Sequence, residues 1–172
     1  MWRAVTLNDY KTLLEGYSGI VKATAMDSTI DSTIPLHVVD VLVAPTNGEP
    51  PSTQLKTDIS QFLDRIKMVT TVARVQDPQF VDVDIKAKLH ISPTYEANAV
   101  VYEAEKALRA ELTFGKFDFG EAVRFSLIVA LLQRVSGVQY VEMETPKADI
   151  EVSFRQIAKL NSITLTAVKA GG

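Results

Sequence analysis

An unbroken alternation near the middle of the chain limits the fold more than any other feature. From Phe80 to Ile91, apolar Val81, Val83, Ile85, Ala87, Leu89 and Ile91 are interleaved with Asp82, Asp84, Lys86, Lys88 and His90. Successive strand side chains point to opposite faces, so this period of two predicts a long strand with one face in a core and one in solvent. That core face needs a cover. Pro93 ends the strand, and Ala97, Val101, Ala104, Leu108 and Leu112 line one side of a helix predicted over Tyr95 to Leu112.

The same reading extends to both ends of the chain. After the glycine-punctuated aromatic stretch Phe114 to Gly120, a helix is predicted from Glu121 to Val135, apolar nearly all round at its middle and so expected to be deeply buried. Ser136-Gly137 closes it; Val138 to Met143 reads as a strand, and Ile150 to Val152 and Ile163 to Val168 as one or two more. Toward the N-terminus, Thr6-Leu7-Asn8-Asp9 has the form of a capping box, predicting a short helix to Tyr17. Strands are predicted at Ile20 to Ala25, Leu36 to Ala44 and Thr70 to Val75. A loop rich in Asp, Ser and Thr joins the first two. Ser52 is a helix N-cap, and Leu55, Ile59, Phe62, Leu63 and Ile66 form the apolar face of the helix it starts. Helices and strands mix without a repeating crossover unit, which argues α+β with mostly antiparallel sheets. Asp77-Pro78 is the expected seam between an N-terminal module, residues 1–76, and a C-terminal module, residues 77–172.

Composition narrows the chemistry. The 172 residues include no cysteine, which excludes a thiol nucleophile, a thiolate zinc site, an iron–sulfur cluster and a disulfide framework. A net charge of -3 is not the footprint of a phosphate-neutralising surface, so no nucleic-acid partner is expected. Arg3, Asp9, Lys11 and Glu15 interrupt any apolar signal stretch, and the longest apolar run, Phe125 to Leu132, is far short of the roughly 20 residues that span a bilayer. A soluble protein made in the cytoplasm is the expectation.

Enzymatic arrangements fare poorly. Asp82, Asp84 and His90 share one strand face and would make a small metal-dependent hydrolase the distant alternative, but Asp84 and His90 stand about 20 Å apart at strand rise. His37, with Asp40 or Ser126 as companion, would be a general base, yet no nucleophile-elbow glycines surround Ser126. The ordinary reading of His37 is a buried or rim histidine. Phe114, Phe117 and Phe119 would serve as a base-stacking platform, but aromatic clusters more often fill cores and interfaces. With no Gly-x-Gly-x-x-Gly and no Walker lysine, no nucleotide is expected. The reading is therefore non-enzymatic, with no catalytic residue, metal or cofactor.

The order of several short motifs resembles one family. Arg3-Ala4-Val5-Thr6 with Asp9-Tyr10, then Gly19-Ile20 and Ala23, is similar to the entry of the C-terminal region of baseplate J-like proteins of contractile phage tails. Asp77-Pro78 with Phe80-Val81-Asp82-Val83 resembles that family's P-x-aromatic-V-x-V strand. Phe119-Gly120, Val123, Ser126, Leu127, Val135 to Val138 and Val141 resemble its next segment, and Ile163-Thr164-Leu165-Thr166 its terminal strand. Family members carry a substantial region ahead of the Arg-x-Val-Thr segment, which here begins at residue 3, so functions of that region are not carried over. The resemblance implies a structural wedge component of a six-fold baseplate, present in several copies. Its implied partners are other wedge, hub or tail-tube proteins, and its place is the virion after assembly in the host cytoplasm. A related injection or secretion machine is the alternative.

In such an assembly one loop stands out. Asp27-Ser28-Thr29 and Asp31-Ser32-Thr33 repeat the same triplet, each followed by an isoleucine. A projecting loop would offer Ile30, and Ile34 beside it, to a neighbouring subunit. The alternative is that they fold back over the sheet, and Ile30 is the one farthest from the strand ends.

Overall fold

The computed structural model describes residues 3–169 and divides into two compact units, Met1–Gln79 and Phe80–Gly172. Among the described residues each is a three-stranded sheet with two helices, an α+β architecture.

In the first unit, α1 spans Leu7–Glu15. The capping box forms: Thr6 Oγ1 accepts from Asp9 N at 3.2 Å, and Asp9 Oδ2 accepts from Thr6 N at 2.7 Å and Val5 N at 3.0 Å. Those backbone donors hold the Asp9 carboxyl below its ordinary pKa. Strand β1, Ile20–Met26, pairs antiparallel with β2, Val38–Pro45. Helix α2, Thr53–Ile66, then carries the chain over to β3, Val72–Gln76, which lies parallel to β2. The sheet order is β1-β2-β3. One of its two ladders is therefore parallel, because a helix rather than a hairpin joins β2 to β3. The central position of β2 accounts for its continuous apolar run: Val41, Leu42, Val43 and Ala44 have no exposed area. Tyr10, Leu14, Val41, Val43, Ile59 and Leu63 share the core of this unit.

Strand β2 starts two residues later than the sequence predicts. Val38 N bonds Pro35 O in a turn, and His37 sits at φ 64°, a left-handed conformation that ends extended pairing before it. Leu36, placed in the strand by its hydrophobicity, is 76% exposed.

In the second unit, β4 runs from Gln79 to Ile91, β5 from Val138 to Thr145 and β6 from Gln156 to Lys169, in sheet order β5-β4-β6. The β4–β5 ladder is antiparallel, pairing Leu89 with Val141 and His90 with Tyr140. Val83, Ile85, Ala87, Leu89 and Ile91 are all buried, so the alternation places its apolar set in the core as predicted. Helices α3, Ala97–Glu111, and α4, Phe125–Gln133, add Val100, Ala104, Leu108, Leu112, Ile128, Leu131 and Leu132 to that core.

Three elements differ clearly from their predicted extents: β6 begins at Gln156, well before the predicted Ile163. Helix α4 begins at Phe125 rather than Glu121, because Gly120 turns at φ 74° and Val123 exchanges two backbone hydrogen bonds with Ile150, of 3.0 and 2.9 Å. That exchange also reduces the predicted Ile150 to Val152 strand to an isolated bridge. Nor is α4 deeply buried all round: Ile128, Leu131 and Leu132 face the core, while Leu127 is 39% exposed. Hydrophobicity without a polar face hid which side packs.

Candidate interaction surfaces

The repeated Asp-Ser-Thr-Ile sequence folds as a repeated structure. Asp27 Oδ1 accepts from Thr29 N at 2.9 Å and Thr29 Oγ1 at 2.6 Å; Asp31 Oδ1 accepts from Thr33 N at 3.0 Å and Thr33 Oγ1 at 2.7 Å. Each aspartate thus imposes a local turn that replaces strand pairing. Backbone bonds from Ile30 N to Asp27 O and from Ile34 N to Asp31 O close the two turns. The Thr29 hydroxyl and amide together hold the Asp27 carboxyl below its usual pKa.

The two isoleucines end in opposite environments. Ile30 is 48% exposed, whereas Ile34 is 3% exposed. Ile34 has folded back into the unit, leaving Ile30 as the exposed isoleucine of the loop. At the loop's base lies a cleft of about 300 Å³ lined by Thr6, Tyr10, Asp27, Ser28, His37 and Thr71 among others.

The other sequence candidates are not gathered into a catalytic arrangement. His37 is exposed, neither buried nor in a strand, and the Asp40 carboxylate is engaged by Arg74, whose Nε and Nη2 both lie 2.7 Å from Oδ1. Ser126 is on α4, in the other unit. Along β4, Asp84 accepts from the Ser162 hydroxyl and the Asn161 amide on β6, which, the serine first, hold its carboxyl below the ordinary range. Lys86 pairs with Glu144 at 2.8 Å, and Lys88 reaches Glu142 and Glu144, both at 3.4 Å. The Glu142 charge raises the Lys88 pKa, and the Lys86 hydrogen bond lowers that of Glu144. His90 stacks on Tyr140 with centroids 3.9 Å apart, its Nε2 lying 3.5 Å from Glu142 Oε2. This polar face is a cross-strand charge ladder. Among the described residues no group of three His, Asp or Glu is placed to hold a metal.

Phe117 is buried in the unit's core, whereas Phe114 and Phe119 are half-buried, Phe114 packing at a tilt against Phe80 with 6.0 Å between centroids. Sequence reading missed a different group. Leu36 (76%), Val69 (88%) and Val72 (52%) are exposed where Val72 N bonds the His37 carbonyl. Their signal was available only as apolar residues flanking a strand start, which periodicity assigns to the core.

The two units make an α+β protein whose likeness to known proteins covers both of them. Residues 2–76 match the baseplate J-like central domain and residues 83–166 the baseplate J-like protein C-terminal domain. The chain belongs to the baseplate J-like family. It is 30% identical over 132 residues to baseplate protein J of Escherichia phage P2, a match covering 76% of this chain and 43% of that protein. Its fold is similar to a chain of the six-fold symmetrised anti-feeding prophage (AFP) baseplate, with a TM-score of 0.70, 19% identity, and coverage of 92% of this chain and 38% of the other. The chain spans less than half the length of either relative.

Proposed function

We propose that this chain is a non-enzymatic wedge component of a contractile-tail baseplate. The order of the two family domains, central then C-terminal, is the observation that carries the reading. It acts mechanically, holding neighbouring wedge, hub or tail-tube proteins in one arrangement and exchanging contacts when the plate opens and the sheath contracts. Several copies sit in a six-fold ring in the virion, with the Asp77-Pro78 seam between modules and Ile30 at a subunit contact. An injection-device baseplate is the second reading, which the fold likeness to the AFP baseplate favours. Electron microscopy of particles labelled through an epitope on this chain tests it. Label in a six-fold arrangement at the baseplate is expected; label elsewhere, or on no particle, overturns the reading.

A further inference from the structure

The second unit carries a cleft that the baseplate reading leaves without a role. It has a volume of about 400 Å³ and lies along the first turns of α3, between Tyr95 and the Val135-Ser136 turn after α4. Pockets that take small ligands begin at about 300 Å³. Ala99 and Ala107 contribute small side chains to its lining.

Its aromatic wall is held in place by the backbone opposite. A Cβ on Gly137 would lie 2.7 Å from Tyr95 Cγ, 2.8 Å from Cδ1 and 3.0 Å from Val100 Cγ2. The Tyr95 ring therefore rests directly on the glycine, which also adopts φ 96°, while remaining 46% exposed. The ring is an upright surface rather than a core side chain.

The charge of the rim chooses the occupant. Glu96 and Glu103 line the cleft, and both are exposed; Lys106 approaches Glu103 only to 4.0 Å, the loose limit of an ion pair, and does not line the cleft. A helix N-terminus ordinarily favours an anion, but here Glu96 itself caps α3, accepting from Asn98 N at 3.3 Å. The cleft thus combines an apolar interior with a negative edge. We propose that it docks a partner protein's segment in which one large apolar side chain is flanked by basic residues, the side chain seated against Tyr95 and the cations on the two glutamates.

Titration of the full chain, with alanine and valine methyls labelled for NMR, tests the proposal, using acetyl-Lys-Trp-Lys-amide as probe and acetyl-Glu-Trp-Glu-amide as its charge-reversed control. Saturable shifts at Ala99, Val100, Ala107 and Val135 are expected with the basic probe, with affinity about tenfold or more above the acidic one. Ala99→Trp, a surface change, should fill the cleft and abolish the shifts while melting like the parent. Glu103→Lys should erase the preference for the basic probe. Absent shifts, equal binding of both probes, or shifts unchanged in Ala99→Trp overturn the proposal. So do shifts that grow with protein concentration alone and vanish in Ala99→Trp, which make a second copy of the chain the occupant.

Discussion

Asp40 and Arg74 stand directly opposite each other in the parallel β2–β3 ladder, and both Nε and Nη2 of the guanidinium converge on one carboxylate oxygen at 2.7 Å. The aspartate is 2% exposed, whereas the arginine side chain keeps 42% of its surface in water. A buried carboxylate inside an apolar strand is therefore neutralised from the neighbouring edge strand. The observed register is the one that brings the two charges together.

Removing the arginine strips Asp40 of this partner, so Arg74→Ala should destabilise the first unit. Hydrogen bonds to charged groups are worth about 1.5–3 kcal/mol, and the exposed guanidinium, already partly screened by water, puts the loss at the lower end. Denaturant unfolding of parent and variant measures it. A variant as stable as the parent would show that the pair adds no net stability.

Leu127 and Leu131 lie one turn apart along α4 yet differ in burial. Leu131 is 8% exposed within the core, so Leu131→Asp should unfold the second unit, exceeding the roughly 2–5 kcal/mol of a buried leucine truncation because the new carboxylate has no partner. Leu127, 39% exposed, should accept aspartate with little change. Cooperative melting of Leu131→Asp at the parent temperature, or collapse of Leu127→Asp, would reverse the assignment of which leucine the core covers.

The contrast also shows what the sequence makes legible. The β4 alternation, the Thr6 capping box and the amphipathic α2 are local patterns, and each predicts its element because burial follows the period of the backbone. Helix α4 lacks such a pattern. Its start is set by partners 24 or more residues away: Asp149 Oδ1 accepts from Phe125 N at 2.8 Å, and Ile150 pairs with Val123. No N-cap side chain of its own does that work. The candidate surface divides the same way. Paired Asp-Ser-Thr turns can be read from spacing, but the inward rotation of Ile34 depends on packing that spacing does not encode.

Asp149 gives the second unit an acid-sensitive joint. Besides capping Phe125, it accepts from Arg124 Nη1 at 2.7 Å, and the arginine bond first, then the Phe125 amide, lowers its pKa. A carboxyl lowered in the folded state stabilises fully above its unfolded value, about 3.9, and that contribution is lost as pH falls through the lower folded value. Asp149→Asn should therefore lower the melting temperature at neutral pH and lose less stability than the parent below about pH 4. Asp84 titrates in the same direction and remains in both proteins, so some acid dependence persists. Parallel acid limbs for parent and variant would rule out the joint.

The Asp-Ser-Thr-Ile loop yields a paired prediction in which folding and assembly come apart. Ile34 is 3% exposed, so Ile34→Asp should cost stability in the isolated chain. Ile30, at 48% exposure, should accept aspartate without change in melting, since the Asp27 and Asp31 turns that shape the loop do not use its side chain. Covering one isoleucine by a neighbour is worth roughly 1.5–3 kcal/mol, or about one to two decades in affinity at each contact, and a symmetric ring repeats the contact. Ile30→Asp should thus purify as a folded protein yet be missing from sedimented particles in a complementation assay. Normal incorporation would remove Ile30 from the interface. A fall of several degrees in melting temperature would instead make its role internal to the fold, leaving the loop without a subunit contact at that residue.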